Sequence, residues 1–74
     1  MGTSTDPRFL FGKHLRKLRR DRGFTQEELA HRAHLHRNYV GGVERGERNI
    51  SLLNIVELAK ALSVRPAELL KNLS

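Results

Sequence analysis

Residues 26–49 read QEELAHRAHLHRNYVGGVERGERN, and the fold turns on how this stretch divides. It reads as two short helices joined by a tight turn. Thr25 can cap the first, with Glu28 three residues on, the spacing of a reciprocal capping box. Leu29, Ala30 and Ala33 fall at i, i+1 and i+4, one apolar side of a short helix. His34, Leu35 and His36 interrupt that pattern and make the turn, with Leu35 as its apolar plug. A second helix over 37–45 is expected to set Val40, Val43 and Glu44 inward and Arg37, Asn38, Gly41 and Gly42 outward. Gly46 ends it in the left-handed conformation that glycine adopts without a Cβ penalty.

Helix, short turn and a second helix with a polar outward face make the helix-turn-helix pattern, whose second helix reads the DNA major groove. The residues carry a resemblance as well. Thr25-Gln26-Glu27-Glu28-Leu29-Ala30, the Tyr39-Val40 pair, Glu44-Arg45-Gly46 and Leu58-Ala59-Lys60-Ala61-Leu62 resemble the Cro/repressor-like (Xre-type) helix-turn-helix family over roughly residues 9–70. Within it, LHRNYVGGVERGERNISLLNI is most similar to the controller proteins of restriction-modification systems. The resemblance implies an all-α, compact five-helix domain. It also implies a transcription regulator that binds double-stranded DNA as a dimer on a pseudo-palindromic operator.

Outward from this stretch, Asp6-Pro7 starts a first helix with Asp as N-cap and Pro at its first position. Residues 1–6 are expected to be a disordered tail, and residues 7–74 the DNA-binding domain with a C-terminal dimerisation helix. Phe11, Leu15 and Leu18 recur at i, i+4 and i+7, and the helix is expected to run to about Arg22, with Gly23 ending it and Phe24 dropping into the core. Arg19 lies on the same side, four residues after Leu15, and Glu44 lies four after Val40. A buried charge is costly alone, so each is the other's natural partner, and the family commonly pairs these positions.

Ser51 can cap a fourth helix over 52–62. There Leu52, Leu53, Ile55, Val56, Leu58, Ala59 and Leu62 spread over roughly 220° of the helix. One core needs a narrower stripe. The surplus at Leu53 and Val56, with Leu69, Leu70 and Leu73 after Arg65-Pro66, is the expected two-fold dimer interface. The alternative is that the short last helix folds back and covers the surplus within one chain.

The chemistry of reading is assigned by position. Arg37 can bond guanine O6 and N7 together, and Asn38 can pair with adenine N6 and N7. The resemblance implies the same two base readers. A longer polar side chain common in the family at position 42 is absent. Gly41 and Gly42 each cost about 0.5–1 kcal/mol against Ala in a helix interior. Either they let the backbone approach the groove, or they leave the helix locally loose until DNA firms it. Phosphate contacts are expected from Gln26, His36, Tyr39, Arg45, Arg48, Asn49 and Ser51, which position the module without specifying sequence. A solvated side chain is the alternative for each.

Charge supports the same partner. The chain holds 14 Lys and Arg against 8 Asp and Glu, a formal net charge of +6 with a pI near 10.8. The excess lies on the first helix, where Arg8, Lys13, Arg16, Lys17, Arg19, Arg20 and Arg22 face only Asp21. That helix either supplies long-range attraction to a polyanion or shows a solvated basic face. Four scattered aromatics form no stacking platform for single strands or RNA.

Other classes fall away. His14, His31, His34 and His36 lack the geometry of a metal site, and His36 is expected as helix cap or phosphate neighbour. No nucleophile–base pair or Gly-rich phosphate loop is visible, so no enzyme and no cofactor is expected. No cysteine, no membrane-length run and no signal-like apolar stretch fit a cytoplasmic protein, and the resemblance implies one of a bacterium or phage, associated with the nucleoid. Seventy-four residues leave no room for an effector-sensing domain, and no small-molecule effector is evident. An antitoxin, or another protein-interaction module binding DNA secondarily, is the alternative function. It would carry an extra toxin-binding segment, and none is visible after Ser74.

Overall fold

A computed structural model describes residues 5–73, so the expectation for residues 1–4 lies outside the described residues. Five helices form in chain order: α1 (Pro7–Asp21), α2 (Gln26–Ala33), α3 (Arg37–Glu44), α4 (Leu52–Leu62) and α5 (Pro66–Leu69). No strand occurs among the described residues. None of the helices is long and apolar enough to cross a membrane.

Local chemistry sets the boundaries. The Asp6 carboxylate accepts from the Arg8 N–H and opens α1, with Pro7 at its first position. Thr25 and Glu28 close a full capping box on α2. The Ser51 hydroxyl accepts from the Asn54 N–H at 3.1 Å and opens α4. α1 stops at Asp21 and α3 at Glu44, each one residue short of the expected end. Gly23 (φ +75°) and Gly46 (φ +79°) then take the left-handed position, and the Glu47 N–H bonds the Gly42 carbonyl across the α3 terminus. His34 (φ 61°) does the same work after α2 without being glycine.

Leu15, Leu29, Val40, Val43, Leu58, Leu62 and Leu69 are fully buried, so all five helices meet in one core. α2 packs on α4 and α3, α1 on α3, and α4 on α5. Leu35, as the turn's plug, Phe24 and Leu18 are all half-buried and pack against the core. Gly12 lets α1 and α3 touch, because a Cβ there would press on the Val43 and Glu44 carbonyls.

Two expectations need correction. Leu69 is not interface but core, with no exposed surface. A four-residue helix has little stability of its own. α5 is held because Leu69 is buried and because the Glu68 carbonyl lies 2.8 Å from His14 Nε2 on α1. Leu73 likewise packs against the core from the side. The last helix therefore folds back, yet it does not cover the start of α4: Leu52 is 75% exposed, Leu53 68% and Leu70 42%.

Candidate nucleic-acid interface

The interface is built from α3 outward, and a buried ion pair sets the presentation of that helix. Arg19 and Glu44 are each only 7% exposed. Arg19 Nε donates to Glu44 Oε2 at 2.7 Å and Nη2 to Oε1 at 3.1 Å, while Nη1 donates to the Phe24 carbonyl at 2.8 Å. Gln26 Nε2 adds a bond to Glu44 Oε1 at 2.9 Å. Two-point pairing plus these extra bonds is what offsets the desolvation of a buried pair. The cluster ties α1, the start of α2 and the end of α3 together, which fixes the angle of the outward face.

That face begins at the α2–α3 turn. His36 caps α3, its Nδ1 accepting from the Asn38 N–H at 3.0 Å. In neutral imidazole this places the proton on Nε2. Arg37 and Asn38 follow in the first turn, both exposed. Arg37 lies 3.6 Å from Glu27, and both side chains are mostly in solvent. Such an exposed pair is worth at most about 1 kcal/mol, so it holds Arg37 only weakly.

Gly41 and Gly42 correct the expectation of open backbone, because both are buried. At Gly42 a Cβ would lie 3.2 Å from Arg48 Cγ and Nε, and at Gly41 3.2 Å from Arg45 Nη1 and 3.3 Å from Gln26 Oε1. The glycines are seats on which neighbouring side chains lie down. Arg48 extends from Gly42 to place its guanidinium 5.7 Å from the Tyr39 ring centroid. Asn54 Nδ2 in turn donates to the Tyr39 hydroxyl at 3.1 Å.

The expected phosphate residues separate accordingly. Arg48 and Asn49 are exposed beside α3. Ser51 is engaged as the α4 cap. The Gln26 side chain is bound to Glu44, so its amide serves the ion pair rather than standing free for a phosphate. Arg45 donates to Glu47 at two points, Nε to Oε2 at 3.0 Å and Nη2 to Oε1 at 3.1 Å. Each holds the other's charge: the hydrogen bonds raise the Arg45 pKa and lower that of Glu47. Gly12, Asn54 and the Glu27 and Glu47 partners had no local signal. Only the fourth-residue spacing of Gly41 and Arg45 hinted at the seats. Among the described residues, no three His, Asp or Glu side chains gather to hold a metal ion.

A family model described as helix-turn-helix matches residues 15–69, from α1 through α5. The chain belongs to the helix-turn-helix family. It is a DNA-binding transcription regulator, and its relatives include control proteins. It is 47% identical over 64 residues to control protein C.BamHI of Bacillus amyloliquefaciens, covering 85% of this chain and 79% of that one. The crystal structure of the restriction-modification controller protein C.AhdI from Aeromonas hydrophila superposes with a TM-score of 0.83 at 55% identity, covering 84% of this chain and 94% of that one. The hypothetical transcription factor NHTF from Neisseria gives a TM-score of 0.85 at 40% identity, covering 95% and 80%. In helix-turn-helix domains the second helix of the motif lies in the major groove, its N-terminal residues against base edges.

Proposed function

We propose that this regulator acts as a homodimer on a pseudo-palindromic operator and controls a restriction-modification operon, its own promoter included. The carrying observation is the outward Arg37–Asn38 turn, presented at one angle by the buried Arg19–Glu44 pair. Similarity to named control proteins supports the choice of operon. In this reading Arg37 pairs with a guanine and Asn38 with an adenine. Arg48, Asn49, Tyr39 and the His36 Nε2–H meet phosphates on either side. Arg45 joins them when a phosphate displaces Glu47.

Dimerisation supplies the second half-site. Leu52 and Leu53 at the start of α4 and Leu70 after α5 are left exposed by one chain, and Val56 is half-buried beside them on α4. The test is footprinting of the DNA upstream of its own gene. A protected, inverted-repeat site of two half-sites supports the proposal. Protection without sequence preference would remove it.

A further inference from the structure

α1 carries a row of cations that the reading face does not use. Lys13, Arg16, Lys17 and Arg20, with Asp21, line one shallow concavity. Their spacing confines the four to about 100° of the helix. Lys17 is paired with Asp21 at 2.9 Å, and Arg16 reaches no nearer than 3.9 Å to Glu44. Among the described residues, Lys13 and Arg20 enter no ion pair.

Glu44 locates the row. Its Oε1 is approached by Arg16 Nε and also accepts from Gln26 Nε2. Gln26 in turn lies against Gly41 on α3. The row therefore meets the edge of α3 at Arg16, near that helix's C-terminal end, and extends along α1 to either side. Duplex lying under α3 continues past that edge with about one charge per 1.7 Å of axis. The reading segment itself is balanced, with Arg32, Arg37, Arg45 and Arg48 against Glu27, Glu28, Glu44 and Glu47. Residues 7–22, α1 with its C-cap Arg22, hold seven cations against Asp21, a net of +6 equal to that of the whole chain.

We propose that this row is a second DNA contact, gripping phosphates of the duplex that flanks each half-site. It rests on the DNA-reading assignment above and adds a footprint beyond it. Charge complementarity and the shared edge with α3 favour duplex over a membrane, since no apolar side chain stands within the row for insertion. Bases are not read there; the contact adds affinity and salt dependence in any flanking sequence.

The test uses the operator mapped by footprinting, in duplexes trimmed to its inverted-repeat bases or extended by about ten base pairs, one helical turn, at each end. Binding of wild type and of Lys13→Gln/Arg20→Gln is followed over a salt series. Wild type should bind the extended duplex more tightly, with a salt slope steeper by about two to four units for one or two phosphates per protomer. The variant should lose that increment, keep its melting temperature, and keep its preference for operator over scrambled duplex. A wild type indifferent to duplex length, or a variant that retains the increment, overturns the proposal and leaves α1 a solvated face. If wild type does not prefer the operator at all, the reading assignment has failed separately. The variant's slope on scrambled DNA then decides: a fall of about two units sustains the contact, and no change overturns it.

Discussion

Glu44 ties α1, the start of α2 and the end of α3 together through a single side chain. Its carboxylate binds Arg19 at two points and Gln26 at a third, almost out of water. Glu44→Ala leaves a buried guanidinium with only the Phe24 carbonyl, and should cost about 3–5 kcal/mol in denaturant unfolding. An unchanged midpoint would mean the pair does not hold α3. Arg37 tests recognition alone. Arg37→Ala should weaken operator binding by about 1–3 kcal/mol more than scrambled-duplex binding, with the melting temperature unmoved. Equal losses on both would make Arg37 a backbone clamp. The Arg19–Glu44 pair was legible because each residue follows a core position by four. Gly12 and Gly42 were not. Their reasons are the Val43 carbonyl and the Arg48 stem, which only the tertiary fold brings close.

Helix termini were the most legible elements, because capping chemistry is local. Asp6, Thr25, Ser51, Gly23 and Gly46 all act where spacing placed them. Helix faces were legible where several turns repeat, as in α1 and α4. α5 has a single turn and no period, so Leu69 could not be assigned to core rather than surface from its sequence. The Asp6 cap carries a pH signature. Hydrogen bonds from the Arg8 side chain first, then from its backbone N–H, hold the carboxyl down to about 2. A folded pKa below the unfolded one means the contribution is present above the unfolded value. It is lost as pH falls from about 4 toward 2. Asp6→Asn keeps a capping side chain but removes the charge. Thermal melts should then show a shallower acid limb between pH ~4 and ~2 than wild type. Identical limbs would show that the cap's charge does not stabilise α1.

At the scale of the whole molecule, one reading surface cannot span two half-sites, and in the proposed dimer the exposed leucines of α4 are the surface that doubles it. Sedimentation should show a concentration-dependent dimer, and Leu53→Lys should give monomers that keep their helix content by circular dichroism. A wild type that stays monomeric at high micromolar concentration would sink the two-fold reading. The most direct measurement titrates wild-type protein against its footprinted operator and a scrambled duplex of equal length at ~150 mM salt, with stoichiometry determined by mass. The account predicts two chains per operator and an affinity at least ~10³ times that for the scrambled duplex. An affinity ratio near one, at any stoichiometry, would contradict it.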